Sequence, residues 1–138
     1  MRIRCGTDAT TTSRIVRAFE RGGERFAARI FTLGELAYCE ARGKGKFASL
    51  AARFAAKEAV SKALGTGIAA GVSFSDIEVE HRPGGQPVVH LKEGALARYN
   101  SIQGRDISIS LSHEEDLALA FCVILCDGEP EQPVESGV

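Results

Sequence analysis

Apolar and polar residues repeat along this chain with two periods, and each change of period marks an element. Between residues 105 and 112 the alternation is strict, with Ile107, Ile109 and Leu111 on one side and Ser108, Ser110 and Ser112 on the other. A period of two belongs to a strand with one buried face. Residues 117–125, LALAFCVIL, are apolar throughout, which predicts a strand covered on both faces. Only His113 and the acidic turn Glu114-Glu115-Asp116 separate these runs, so they are expected to pair as a hairpin. Residues 2–7 give a short strand in which Ile3, Cys5 and Thr7 point one way, and Arg4, Gly6 and Asp8 the other, with Asp8 at the strand end. Residues 72–81 and 88–91 have the β-branched, alternating character of two more strands, joined by the turn Pro83-Gly84-Gly85-Gln86-Pro87.

The helical period appears between these strands. Ser13 is a candidate N-cap for a helix over 14–20 with Ile15, Ala18 and Phe19 as its apolar stripe, ended by Gly22-Gly23. Thr32-Leu33-Gly34-Glu35 matches a capping box and predicts a second helix to about residue 41. A basic loop over 42–46 then leads into a long helix beginning near Phe47. That helix carries RFAAKEAVSKALGTG over residues 53–67. Ala52, Ala56, Ala59, Val60 and Ala63 make one arc small enough to lie close against a sheet. Glu58 and Lys62, four apart, stack on another arc with Lys57 and Ser61 beside them, so one face is expected to pack and one to be presented. Gly65 suits the left-handed residue that ends the helix, and Gly67 a further turn. A weak helix over 92–101 is interrupted near its start by Gly94. The class that follows is α+β: a small, mostly antiparallel sheet packed against a long central helix and shorter N-terminal helices. It forms one domain over 1–126, and the acidic, Pro-rich residues 127–138 read as a disordered tail.

Composition narrows the function classes. A chain of 138 residues, 44% apolar and without a long uncharged apolar run, fits one domain with no membrane span. The opening MRIRCGTDA lacks the apolar centre of a signal peptide, which places the protein in the cytoplasm. Four cysteines occur, three of them among apolar residues, and Cys122 and Cys126 have no second pair to complete a zinc site; reduced core thiols are expected. A net charge of −1 provides no global attraction to nucleic acid or membrane. Locally, Arg14, Arg17 and Arg21 form a ridge at helical spacing, extended by Arg25 and Arg29. Such a ridge is either a solvated face or a docking surface for an acidic partner.

Two features carry candidate chemistry, each with an ordinary alternative. Glu58 and Lys62 are either a surface pair worth about 0.3–0.5 kcal/mol or the reactive face of the long helix. Asp8 is either a turn residue beside Gly6 or a ligand that needs a partner.

The segments GTDA (6–9), ARIFTLGE (28–35), LAARFAAKEAVSKALGTGI (50–68), VSFSDIEV (72–79) and SISLSH (108–113) follow the order and spacing of holo-acyl-carrier-protein synthases. The resemblance spans nearly the whole chain except the tail, and FAAKEAVSKALGTGI is its most specific part. It implies the 4′-phosphopantetheinyl transferase fold and a homotrimer with active sites at the subunit junctions. It also implies transfer of 4′-phosphopantetheine from coenzyme A to a serine of apo acyl carrier protein, as in fatty acid biosynthesis, releasing adenosine 3′,5′-bisphosphate. By the same resemblance Asp8 and Glu58 hold magnesium, Ser112 and His113 end a coenzyme-binding strand, and Arg14 lies on the carrier-binding helix. His113 and Arg53 are then expected at the nucleotide phosphates, whereas Arg17, Arg21 and Arg25 join Arg14 on charge alone.

The chemistry of a diphosphate agrees with that assignment. Magnesium keeps several waters and takes one or two carboxylates, so two protein acids suffice. Lys62 is placed to meet the bridging or leaving oxygen and Lys57 another phosphate oxygen, with Ser61 alongside and Gly65 admitting the coenzyme to the backbone. The serine proton passes to Glu58 directly or, as favoured here, through a metal-bound water. Two departures from the family are expected to affect packing: Ala9 for a larger aliphatic residue beneath Asp8, and Ser49 for Phe. The competing reading is a non-catalytic coenzyme A or carrier-protein binding module, and a weaker one a metal-dependent phosphohydrolase.

Overall fold

A computed structural model describes residues 1–128; most of the expected tail, residues 129–138, lies outside the described residues. In chain order the elements are β1 (Arg2–Thr11), α1 (Thr12–Ile30), α2 (Leu33–Glu40), α3 (Lys46–Ala63), β2 (Ile77–His81), β3 (Pro87–Leu91), α4 (Glu93–Ser101), β4 (Gly104–Glu114) and β5 (Leu117–Cys126). Single 3₁₀ turns at Gly43–Gly45 and Phe74–Asp76 lead into α3 and β2. The α+β class is as expected. Strands β1, β5 and β4 form an antiparallel sheet in that order, and β2 and β3 form a separate hairpin.

Helix α3 lies close on the sheet because the face it packs is mostly alanine. Ala55, Ala56, Ala59, Val60 and Ala63 pack with Ala120, Cys122, Ile124 and Ile109 in one core cluster. The closest approach is at Gly6 of β1, where a Cβ would collide with the Ala59 carbonyl oxygen and lie 2.7 Å from the Ala63 nitrogen. A second cluster joins Ile15, Ile30, Phe31, Leu50, Phe54 and Ala118, with Phe19, Phe26 and Phe47 against it. The chain reaches it through a kink in α1 at Gly23 (φ 52°, ψ −134°), a conformation open to glycine. Beyond the kink, Phe26 returns to meet Phe19 edge-on at 5.3 Å.

Several expectations need correction. Strand β1 runs on to Thr11, so Asp8 is a mid-strand residue; every residue from Arg2 to Thr11 pairs with β5. Thr11, not Ser13, caps α1, its hydroxyl accepting from the Arg14 amide, and the helix continues past the expected stop to Ile30. Strand β2 begins only at Ile77, because Ser73 and Asp76 form a capping box around a 3₁₀ turn. Strand β5 is not covered on both faces: Ala118, Ala120, Cys122 and Ile124 are buried, while Leu117, Leu119 and Phe121 are 39–46% exposed. Ala9 belongs to that outward row and does not lie beneath Asp8. The capping box at Thr32 and Glu35 forms as predicted, as does the β4–β5 hairpin. Cys39, Cys122 and Cys126 are buried free thiols, and burial pushes the Cys122 thiol up to about 12. Among the described residues no helix is long and apolar enough to cross a membrane.

Candidate active site

Even-numbered residues of β1 face α3, so pairing of the strand with β5 delivers Asp8 to the helix beside its Glu58–Lys62 arc. Lys62 Nζ donates to the Thr7 carbonyl at 2.9 Å and to Asp8 Oδ1 at 3.1 Å. Glu58, one turn earlier, is half-buried. Its carboxyl is pushed above the ordinary carboxylate range first by burial and then by the charge of Asp8, while Lys62 and Arg14 draw it back. That mutual influence places both carboxylates, Lys62 and Arg14 in one site. Arg14 is held there with its guanidinium 5.5 Å over the Phe54 ring.

Two repelling carboxylates favour a cation between them, and oxygen donors suit a hard one. Among the described residues no cluster of three or more His, Cys, Asp or Glu side chains could hold a metal. This donor set therefore does not make an all-protein cage. It fits a magnesium ion that retains waters and takes substrate oxygens.

The other expected face of α3 is not presented. Lys57 and Ser61 are fully buried, and Arg53 is 1% exposed. Lys57 Nζ pairs with Glu35 Oε1 at 2.8 Å and donates to the Phe74 carbonyl at 3.0 Å and to the Ile77 carbonyl. Its three N–H donors are thereby committed, so the expected contact between Lys57 and a phosphate oxygen is corrected: this lysine braces the fold. Burial lowers its pKa and Glu35 opposes that. Glu35 also accepts from the Thr32 and Val79 amides, so the capping-box acid ties α2, α3 and β2 together. Ser61 Oγ donates to the Glu58 carbonyl and is likewise turned away from any ligand.

Arg53 organises a second group. It donates to Ser49 Oγ and bonds His81 Nδ1, both at 2.8 Å, and its guanidinium stacks 4.2 Å over Tyr38. The His81 ring also stacks on Tyr38, with centroids 5.2 Å apart at 11°. Burial, then Arg53 and Arg42, lower the His81 pKa, so the ring accepts from Arg53 as a neutral imidazole. Tyr38, Arg42, Ser49, Arg53, Ser112 and His113 share one cleft of about 400 Å³. The expected Arg53, Ser112 and His113 are thus brought together. Sequence reasoning missed Tyr38, Arg42 and His81, although Tyr38 and Arg42 stand at i and i+4 at the end of a predicted helix. Ser49 Oγ also accepts from Cys39 Sγ at 3.3 Å. His113 Nε2 also meets Thr12 Oγ1 at 3.2 Å.

Arg14, Arg17 and Arg21 are exposed on α1 before the kink, and Arg25 is exposed after it. Gly65 ends the α3 segment with φ 86°, as its position predicted.

The model of the 4′-phosphopantetheinyl transferase superfamily matches residues 4–122. A holo-[acyl-carrier-protein] synthase of Ruminiclostridium cellulolyticum is 49% identical over 90% of this chain and 92% of its own. One from Sinorhizobium fredii is 43% identical over the full length of both. The crystal structure of the Neisseria meningitidis holo-[acyl-carrier-protein] synthase superposes with a TM-score of 0.80 at 41% identity, covering 88% of this chain and 97% of that one. The Helicobacter pylori enzyme, solved in complex with coenzyme A, gives 0.77 at 32% identity, covering 88% and 99%. The chain therefore belongs to the holo-[acyl-carrier-protein] synthases of the 4′-phosphopantetheinyl transferase superfamily.

Proposed function

We propose that this protein transfers 4′-phosphopantetheine from coenzyme A to a serine hydroxyl of apo acyl carrier protein in the cytoplasm, using magnesium and releasing adenosine 3′,5′-bisphosphate. The observation that carries the reading is the convergence of Asp8, Glu58 and Lys62, drawn from a strand and a helix, on one electrostatically coupled site. Asp8 and Glu58 would hold the ion, which when bound neutralises diphosphate charge and polarises the phosphorus under attack.

In the transfer the serine oxygen forms a bond to the phosphorus bearing the pantetheine arm, and the bond from that phosphorus to the bridging oxygen breaks. Lys62 stabilises the charge that gathers on the leaving phosphate. The serine proton goes to Glu58, directly or across one water; a cation held by Glu58 weakens that carboxylate as a base, which favours the route through water. Arg53, Ser112 and His113, with Tyr38 and Arg42, offer a cationic, aromatic cleft for the nucleotide end.

The half-site at Asp8 and the half-site at Arg53 come from different protomers of a homotrimer in this reading. It is supported by the bare row of Ile3, Leu117, Leu119 and Phe121, which a neighbouring copy would cover. Arg14, Arg17, Arg21 and Arg25 receive the acidic carrier protein and govern encounter more than final affinity.

The test is to incubate the protein with apo carrier protein, coenzyme A and magnesium and to weigh the carrier by mass spectrometry. The phosphopantetheine increment on the acceptor serine is expected; an unmodified carrier overturns the reading.

A further inference from the structure

Helix α3 ends in a place that should repel a phosphate, and side chains reverse that. The C-terminus of a helix carries about half a negative charge on its last carbonyls. Here the Ser61 and Lys62 carbonyls accept from backbone amides of the following turn, including Gly67 at 3.1 Å and Gly65 at 2.9 Å. The remaining two are covered by arginines from elsewhere in the chain. Arg4 Nε donates to the Ala63 carbonyl at 2.8 Å and Arg4 Nη2 to that of Leu64 at 3.4 Å. Arg98 Nε, arriving from α4, donates to the Leu64 carbonyl at 2.8 Å.

The two guanidinium groups bracket Gly65. A Cβ there would stand 3.2 Å from Arg98 Nη2 and would collide with Arg4 Nη2. The positive φ of 86° favours glycine at this position, and a Cβ would also push both guanidinium groups aside. Around the bracket lies a cleft of about 420 Å³ lined by Arg2, Arg4, Lys62, Gly65 and Arg98, with no acidic residue among its described lining. Lys62 joins this cleft to the Asp8–Glu58 site. Arg98 is half-buried, and among the described residues no acceptor engages its Nη1 or Nη2.

We propose that Arg98 is a phosphate-binding residue for coenzyme A, its fork aimed by the Nε–Leu64 bond into a cleft continuous with Lys62. The inference rests on the transferase reading, which supplies the ligand. Arg4 contributes by covering helix carbonyls, so that the end of α3 presents cations instead of lone pairs. A guanidinium fixed through Nε keeps two parallel N–H donors for phosphate oxygens.

Calorimetric titration of coenzyme A into the intact protein with magnesium tests this without turnover, comparing the parent with Arg98→Met and Arg98→Lys at two salt concentrations. Arg98→Met is expected to weaken binding on the order of tenfold and to flatten its salt dependence, and Arg98→Lys to recover part of both. Parental affinity in Arg98→Met, or equal losses in the Met and Lys variants, overturns the site and leaves Arg98 as a brace for the helix end. A parent that binds no coenzyme A overturns the transferase reading, and this site with it.

Discussion

Lys57 and Lys62 stand five residues apart on α3, about 140° around the helix axis, and that angle separates a structural cation from the one proposed to act on the phosphate. Lys57 points into the interface with α2 and β2, where Glu35 and two carbonyls absorb its donors. Replacing it leaves the Glu35 carboxylate buried without its counter-ion. Lys57→Met is therefore expected to cost about 3–5 kcal/mol in urea unfolding, and a Glu35→Gln/Lys57→Met double variant to regain much of it. His81 offers a test by pH. Its pKa in the folded protein lies below the ordinary 6.5, so below that value the unfolded chain takes up a proton that the native ring resists. The stability from a neutral His81 is complete above about pH 6.5 and is lost as pH falls through 6.5 towards the folded pKa. Melting temperatures measured from pH 8 to pH 5 should fall more for the parent than for His81→Gln, and parallel curves would remove the assignment.

The proposed pairing of Asp8 with Glu58 depends on how closely β1 lies on α3, and a single missing side chain sets that distance. With Gly6 against the Ala59 carbonyl oxygen and the Ala63 nitrogen, Gly6→Ala must lift the strand or bend the helix. A loss of roughly 1–3 kcal/mol in chemical unfolding is expected from such overpacking. Because Asp8 shares the strand, the same variant should also show a smaller magnesium-induced rise in melting temperature than the parent. The alanine stripe of α3, the capping box at Thr32 and the alternation in β4 were legible in the sequence, since each is a local pattern with one physical explanation. What was not legible depended on distant partners. Lys57 and Arg53 look like surface cations until Glu35, His81 and Tyr38 close over them, and Gly6 looks like an ordinary strand position until a helix lies on it. The length of β1 was hidden for the same reason. Asp8 and Thr10 interrupt no pattern once β5 pairs with them, but nothing near them in sequence shows that pairing. Of the candidate site, Glu58 and Lys62 could be read from helical spacing, whereas Asp8 needed the family resemblance.

At the scale of the molecule, a strand as apolar as β5 with one face uncovered implies a surface that folding of one chain leaves unfinished. Ile3 is 71% exposed and Phe121 46%, in a row flanked by Ser108, Ser110 and Ser112 of β4. The proposed trimer gives that row a partner and makes an active site from two chains, Asp8, Glu58 and Lys62 of one copy facing Arg53, Ser112 and His113 of the next. Leu119→Glu would place a charge in the contact. Sedimentation is expected to move from three times the 14.7 kDa chain mass to the mass of one chain, with transfer activity lost alongside. Loss of activity alone cannot distinguish a broken junction from a damaged protomer, so complementation is the sharper measurement. Asp8→Asn disables one half-site and His113→Ala weakens the other, and trimers reassembled from the two variants contain some junctions where both halves are intact. Activity in the mixture should exceed that of either variant alone. If each site is complete within a single chain, no mixture can restore it, and the bare face of β5 must serve some other contact.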